Sequence, residues 1–157
     1  MSAADSSIGH AEVQDLIGKW WWNYDQGHFD ILASLLTDDV HFSCRTDTGT
    51  TDYEALVRAD LRTRDLVMAW QTEHRVNSPY PLRHVGANLH ITADRGDEVD
   101  FASYIFVTHI TAAGVSNLSS AIVTGTVRRD TDAPRIAELE VALDTRQSVV
   151  FSEVFAQ

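Results

Sequence analysis

The sequence predicts an α+β domain in which helices come first and a mainly antiparallel sheet follows. Apolar residues recur at a helical period through roughly the first half of the 157-residue chain. From about residue 82 onward the period changes to two, which is typical of strands. Turn-forming residues separate these later segments. Helices followed by a run of strands with short connections indicate α+β architecture.

Three helices are predicted in the first part of the chain. The first ends at Gly27, and its apolar face carries Val13, Leu16, Ile17, Trp20 and Tyr24. A second, short helix begins near Phe29 and ends at the pair Asp38 and Asp39. A short strand over residues 40–44 comes next. The third helix is predicted over residues 53–70, with Asp52 as its N-terminal cap.

Four strands are predicted in the second part, over residues 82–92, 99–111, 115–129 and 135–143. The connections between them contain Asp, Gly and Pro in the combinations that turns favour. The apolar segment 147–155 is either a further strand or a tail packed on a neighbour. Long strands with helices on one face can curl around a cavity, whose mouth is a place where ligands bind.

Length and composition indicate one globular domain over residues 1–157, with the small, polar residues 1–9 disordered. The net charge of −11 repels phosphate backbones, so we expect no nucleic-acid partner. No apolar stretch approaches the length of a membrane span, and the N-terminus does not resemble a signal peptide. A single cysteine, Cys44, suits a reducing compartment. We therefore expect a cytoplasmic protein.

Asp25 and His84 are the first candidates for acid–base chemistry. Asp25 follows Tyr24 at the end of the first helix and is either a half-buried carboxylate at the base of a cavity or a surface acid. His84 lies at the start of the first long strand. Histidine has an unperturbed pKa of about 6.5 and can act as a general base, and a nearby carboxylate would fix its tautomer. Strict alternation places His84 opposite the apolar face of its strand, unless a bulge intervenes.

His109 is the third candidate. It shares parity with Phe101, Ile105 and Val107, so it belongs to an apolar strand face. An ionisable group there either borders a cavity or bonds to a backbone carbonyl in the core. Tyr24 and Tyr104 can orient a substrate oxygen or fill the core. The run of three tryptophans from Trp20 places one ring at a pocket mouth or an interface, or against the third helix.

Several standard motifs are absent from the sequence. It contains no glycine-rich phosphate loop, no serine nucleophile elbow and no zinc-binding helix with two histidines. The seven histidines lack a standard ligand spacing. We therefore expect neither a metal nor an organic cofactor.

The segments 24–32 and 35–40 resemble the opening of SnoaL-like proteins in the NTF2-like superfamily. Residues 82–89 and 135–138 are also similar to that family, and the resemblance spans about residues 13–144. It implies a cystatin-like cone in which three N-terminal helices pack on a curved, mainly antiparallel sheet. Fold alone does not define a reaction, because this architecture carries unrelated functions.

Within this superfamily the candidate residues resemble the pocket of scytalone dehydratases. The resemblance implies that Tyr24 and Asp25 form a Tyr–Asp pair and that His84 and His109 are two pocket histidines on successive strands. The residues expected around the substrate are Trp21, Phe42, Cys44, Tyr104 and Val123. A second pocket tyrosine of those enzymes aligns near Cys44, and their later Ser and Asn fall near Ala121 and Val123. These departures leave the substrate open.

The resemblance implies a lyase or isomerase that acts on a small hydrophobic or aromatic molecule. His84 would remove a proton, Asp25 would orient His84, and His109 and Tyr24 would bind or protonate the substrate oxygen. One alternative is a non-catalytic small subunit similar to those of ring-hydroxylating dioxygenases, or a ligand-binding module. Another is a steroid-isomerase-like site using Asp39 and Asp100. The apolar C-terminal segment predicts a homodimer or homotrimer.

Overall fold

The chain folds into five helices and six strands within residues 7–50 and 54–154, which a computed structural model describes. The helices are α1 His10–Gln26, α2 Phe29–Ser34, α3 Glu54–Val57, α4 Arg64–Val76 and α5 Phe151–Val154. The strands are β1 Leu36–Thr46, β2 Ala59–Arg62, β3 Leu82–Asp94, β4 Glu98–Thr111, β5 Gly114–Asp130 and β6 Ala133–Leu143.

All six strands belong to one sheet with the order β2-β1-β6-β5-β4-β3. Strands β1 and β6 pair in parallel, and every other neighbouring pair is antiparallel. Register shifts interrupt four of the five pairings, and bulges of this kind bend strands. Helices α1 and α4 pack on the sheet against β3 and β1 respectively. The predicted α+β class with a curved, mainly antiparallel sheet is confirmed.

Helix α1 forms because its apolar positions repeat at the helical period and face the sheet. Trp20 is 1% exposed and Val13 is fully buried. Gly27 ends the helix with φ of 70°, a left-handed conformation that glycine adopts at little cost. The predicted first helix is therefore confirmed. Its buried C-terminal turn carries Tyr24 and Asp25 into the interior.

The third predicted helix is wrong in its extent. The structure divides this part of the chain into α3, the short strand β2 and then α4, which reaches Val76. Thr63 has φ of 80°, which is incompatible with a helix and separates β2 from α4. Strand β2 satisfies its backbone by pairing antiparallel with β1. The predicted cap Asp52 lies outside the described residues.

The four predicted long strands are confirmed, and each extends one or two residues beyond at least one predicted end. In the C-terminal segment the strand alternative is wrong, because the described part contains the short helix α5 and no strand. Phe151 and Val150 are exposed there. Among the described residues, no helix combines the length and the apolar character that crossing a bilayer requires.

Order begins within the N-terminal segment that the sequence predicts to be disordered. Ile8 is 2% exposed, and its backbone N–H donates to the carbonyl of Gly96 at 3.1 Å. This contact fixes the chain just before α1. Burial of an isoleucine side chain accounts for the difference, because it offsets the entropy lost on ordering the segment.

A bulge in β3 determines which way His84 points. Asn88 has φ of 57°, and the register of β3 against β4 shifts between Ala87 and His90. Before the bulge, His84 lies opposite Val107, which is 5% exposed and faces the core. Beyond it the alternation is reversed, so that Leu89 packs against the core. The bulge therefore places both His84 and the later apolar residues of β3 on the inner face.

Candidate active site

Asp25 and His84 form a buried pair between the end of α1 and the start of β3. Asp25 Oδ1 lies 2.6 Å from His84 Nδ1, and Oδ2 accepts the backbone N–H of His84 at 2.8 Å. The Asp25 side chain is 6% exposed and the His84 side chain 11%. Both carboxylate oxygens thus bind one residue, which fixes the imidazole relative to the backbone of β3.

This contact selects the histidine tautomer. An ionised carboxylate only accepts hydrogen bonds, so Nδ1 of His84 carries the proton. Nε2 then holds the free lone pair, which is the arrangement of a general base. The Asp25 carboxylate also stabilises the imidazolium that forms when Nε2 takes a proton.

Two aromatic side chains of α1 hold the His84 ring on its other sides. Trp21 stacks on it with centroids 4.8 Å apart and planes inclined by 5°. Tyr24 meets it edge to face at 5.2 Å. The two rings therefore fix the orientation of the imidazole beside the cavity.

Arg75 of α4 binds the C-terminal end of α1 through its guanidinium group. Its guanidinium donates to the carbonyls of Tyr24 at 3.1 Å and Asp25 at 2.7 Å, and also to the carbonyl of Pro79. Arg75 is 6% exposed. Tyr24 and Asp25 lie in the last turn of α1, where carbonyls lack i+4 donors, although the Gly27 N–H also reaches Tyr24 at 3.1 Å. A cation there also complements the helix dipole. Arg75 therefore fixes the turn that carries Asp25.

A cavity of about 560 Å³ opens beside the His84 ring. Aromatic and aliphatic side chains form most of its wall, among them Trp21, Phe42, Trp70, Leu82, Ile105, Val107 and Val141. Its polar lining comes from Tyr24, Gln71, Glu73, His74, Asn77, Ser78, His84 and Ser119. A largely apolar cavity with a few polar groups is the usual form of a small-molecule site.

Most of the predicted site residues meet at this cavity. Asp25 lies behind His84 and contacts it. The other predicted residues that line the cavity are Trp21, Tyr24, Phe42 and Cys44. These residues converge because α1 ends over the inner face of the sheet. The inner faces of β1 and of the start of β3 line the same space.

Three predicted residues lie elsewhere. Tyr104 is 50% exposed on the outer face of β4, and Val123 is fully buried in the core of β5 outside the cavity wall. His109 is half-buried beyond Val107, opposite Leu82 and Ser116, and does not line the cavity. Parity gave the inner face for His109, but the cavity ends before its position along β4.

The two carboxylates of the steroid-isomerase alternative are also outside the cavity. Asp39 pairs with Arg128 at 2.5 Å, and Asp100 pairs with Arg95 at 2.6 Å. Each pairing lowers the pKa of the carboxyl group, mainly through the hydrogen bond from arginine. Neither residue borders the cavity, so this structure does not support that arrangement.

Sequence reasoning missed the polar residues of α4, above all Gln71 and His74. The predicted third helix stopped at residue 70, before both of them. The signal was present in the sequence, because Val67, Trp70, Gln71 and His74 follow the i, i+3, i+4, i+7 spacing of one helical face. Their polar character concealed the periodicity.

Burial changes the protonation of three cavity groups. It raises the pKa of Tyr24 to about 12, with the nearby Ser78 hydroxyl and the charge of Arg75 acting in the opposite direction. Burial also raises the pKa of the Cys44 thiol to about 12, helped by the charge of Glu54. The pKa of His74 is lowered by burial and then by the charge of His84. Tyr24 and Cys44 therefore stay neutral, and His74 resists protonation.

The lowered pKa of His74 predicts a pH effect on stability. Between the folded pKa and the ordinary value near 6.5, the unfolded chain binds the proton more readily, so wild-type stability falls as pH drops through that interval. His74→Gln removes this contribution. We expect the free energy of unfolding of the variant, minus that of wild type, to increase as the pH is lowered from 7.5 to 5.5. Urea titrations at each pH measure this difference.

The control for this effect is His90→Gln, because His90 is exposed on β3. The other titratable groups that share the cavity with His74 are Tyr24, Cys44, Glu73 and His84, and all remain in both variants. Parallel stability profiles for wild type and His74→Gln would show that His74 titrates as it does in the unfolded chain.

Within the described residues, no group of three or more His, Cys, Asp or Glu side chains is arranged to hold a metal ion. The polar groups at the cavity are instead single hydrogen-bonding side chains on separate elements. What they can do together is accept a proton at His84 and donate hydrogen bonds from Tyr24, Gln71 and His74.

The helices packed on the curved sheet form a cystatin-like fold. An NTF2-like protein of this fold from Novosphingobium aromaticivorans superimposes with a TM-score of 0.68 at 17% identity, covering 94% of this chain and 88% of that one. More specifically, the chain belongs to the SnoaL-like domain family, whose sequence profile matches residues 7–140.

Two further structures from Novosphingobium aromaticivorans share the fold. A proposed scytalone dehydratase has a TM-score of 0.68 and 15% identity, covering 89% of this chain and 88% of that one. The β subunit of a proposed aromatic-ring-hydroxylating dioxygenase has a TM-score of 0.70 and 13% identity, covering 90% and 93%. No curated protein matches the sequence. Identities this low show a common fold only.

Proposed function

We propose that the protein is a lyase or isomerase that removes a proton from the carbon next to a carbonyl group in a small hydrophobic molecule. The observation that supports this most is the contact of both Asp25 oxygens with His84 beside the cavity. The contact leaves Nε2 of His84 as the free base and provides an anion that offsets its later positive charge.

The chemistry requires no group beyond the side chains described. His84 Nε2 takes the α-proton, and the C–H electron pair converts the carbonyl to an enolate. In a β-hydroxy ketone, the enolate re-forms the carbonyl as the β C–O bond breaks. The hydroxyl leaves as water with the proton from His84, and Tyr24 donates a hydrogen bond to it. In a β,γ-unsaturated ketone, the same proton returns at the γ-carbon and the product is an isomer.

The cavity wall supports an aromatic or hydrophobic substrate. Trp21, Phe42 and Trp70 provide flat apolar surfaces, and the volume of about 560 Å³ suits a molecule of one or two rings. The low dielectric of such surroundings strengthens the interaction between Asp25 and the imidazolium.

A suitable test substrate is 3-hydroxy-1-tetralone, a bicyclic β-hydroxy ketone whose dehydration gives 1-naphthol. We expect the wild-type protein to accelerate formation of 1-naphthol, followed by fluorescence, and His84→Phe to abolish the acceleration. His109→Phe is the matched control and should retain activity. If this ketone and a β,γ-unsaturated ketone of the same size both fail to react, the proposal loses its support.

We also expect the chain to assemble with a second copy through the outer face of the sheet. Cross-strand neighbours on that face form a continuous exposed apolar surface of Val85, Tyr104, Phe106 and Ile122. Such a surface is costly in water and suits a symmetric contact between identical faces. Phe106→Asp should convert an oligomer to monomers in light scattering, and Gln14→Asp, on the exposed side of α1 away from this face, is the control. A monomeric wild type would remove this expectation.

The dioxygenase-subunit alternative predicts a different partner. A small subunit of that kind would place an exposed face against a larger subunit and would need no proton-transfer pair. Co-purification with a larger iron–sulfur protein from the native host would favour it, provided that the Asp25→Asn variant co-purifies with that protein equally well. The buried Asp25–His84 contact favours catalysis.

A further inference from the structure

Helix α4 directs two polar side chains into the cavity from the side opposite His84. Gln71 and His74 are three residues apart, so they occupy one face of the helix. Helix α4 packs on β1, whereas His84 lies on β3, and these strands are near opposite ends of the sheet. A molecule in the cavity therefore lies between His84 on one side and α4 on the other.

The ring of His74 is held in place by aromatic packing. It stacks on Trp70 with centroids 4.6 Å apart and planes inclined by 10°, and Trp70 in turn contacts Phe42 at 5.3 Å. Within residues 7–50 and 54–154, no hydrogen bond occupies either nitrogen of this ring. The ring is thus oriented while its N–H remains available to a ligand.

Gln71 is a second polar side chain that α4 presents to the cavity. It is 4% exposed and borders the cavity, yet its amide has no hydrogen-bond partner among the described residues. The amide atoms of Gln71 are not fully enclosed, because they border the cavity. A polar atom of a bound molecule would give this amide a hydrogen-bond partner.

We propose that His74, with Gln71 beside it, binds the carbonyl oxygen of the substrate and holds the enolate oxygen that forms when His84 removes the α-proton. This inference rests on the proposed function and adds its substrate requirement, which is a carbonyl group directed toward α4. No bond to His74 is made or broken. The α-proton goes to His84, the electron pair goes to the oxygen, and His74 donates one hydrogen bond.

The division of roles between the two histidines follows from their surroundings. His84 faces a carboxylate, which favours its charged form during the reaction, whereas His74 faces aromatic rings and the charge of His84. Burial, followed by that charge, lowers the pKa of His74. A neutral imidazole is the form that donates a hydrogen bond to a carbonyl oxygen without competing for the proton.

Binding of two nearly isosteric probes tests the inference without any turnover. 1-Tetralone carries the carbonyl oxygen, and 1-methylenetetralin has a CH₂ group in its place. Quenching of tryptophan fluorescence reports both dissociation constants, because Trp21 and Trp70 line the cavity. We expect His74→Phe, which preserves stacking on Trp70, to weaken 1-tetralone binding about tenfold and to leave 1-methylenetetralin binding unchanged.

Two further variants separate a hydrogen bond from a purely structural role. His74→Gln restores a donor and should recover a large part of the 1-tetralone affinity, whereas Gln71→Leu should weaken it about threefold to tenfold. His109→Phe is the control and should bind both probes as wild type does. Equal losses for the two probes in His74→Phe, or no binding of either probe to wild type, would overturn the inference. Failure of turnover alone would count against the proposed function and leave this binding result standing.

Discussion

Asp25→Asn is expected to lower kcat/KM for dehydration of 3-hydroxy-1-tetralone by about 10²–10⁴-fold while the fold is retained. The amide is nearly isosteric with the carboxylate and can still accept the backbone N–H of His84, so the ring should stay close to its position. What it lacks is the negative charge opposite Nδ1. The imidazolium that forms during proton abstraction is then no longer stabilised.

The companion variant His84→Phe removes the base itself. Phenylalanine keeps the stacking on Trp21, so a loss of activity cannot be attributed to an emptied space. We expect no activity above the uncatalysed rate. Asp15→Asn is the control, because Asp15 lies on the exposed side of the same helix and pairs with Lys19. An Asp25→Asn protein with wild-type kcat/KM would show that the pair has a structural role only.

Arg75→Met is expected to give the largest loss of stability, about 3 kcal/mol in the free energy of unfolding. The methionine fills part of the space but donates no hydrogen bond. The buried carbonyl of Asp25 then loses its guanidinium donors, that of Tyr24 keeps only the Gly27 N–H, and that of Pro79 is left to solvent. Urea titration followed by tryptophan fluorescence measures the difference.

Arg62→Met provides the matched comparison, because Arg62 is exposed on β2. Its effect should stay within about 0.5 kcal/mol, which is usual for surface positions. The Arg75 variant should also lose activity at temperatures where it is still folded, since the turn that carries Asp25 is no longer fixed. A loss of stability equal to that of Arg62→Met would mean that water replaces the guanidinium at these carbonyls.

The strands and the first helix could be predicted from sequence because each carries its signal locally. Period-two apolar patterns bounded by Asp- and Gly-containing turns define β3 to β6 closely. The helical period and Gly27 define α1. The region from Glu54 to Val76 lacked such a signal, because a positive φ at Thr63 is not evident from a threonine in the sequence.

The candidate site was predictable in part. Asp25 and His84 are 59 residues apart, and only the fold brings their side chains to 2.6 Å. Strict alternation placed His84 on the wrong face, and the bulge at Asn88 is the reason. Where a bulge falls depends on pairing between strands, which a single sequence does not reveal.

His109 and His74 illustrate the opposite errors. His109 shares the strand face of Ile105 and Val107, as predicted. The cavity does not extend along β4 as far as His109, so this residue does not line its wall. His74 lies in a helix that continues six residues beyond its predicted end, so the predicted helix did not include it. Both outcomes depend on tertiary packing: one on where the cavity stops, the other on how far α4 continues before Ser78 and Pro79.

Exchange of the α-hydrogens of 1-tetralone with D₂O is the measurement that addresses proton abstraction by His84 most directly. This ketone has no leaving group, so ¹H NMR of the carbon next to the carbonyl follows that single step. We expect wild type to accelerate exchange at least about 10²-fold over buffer, His109→Phe to match it, and His84→Phe to show no acceleration. Equal exchange rates for wild type and His84→Phe would contradict the central claim.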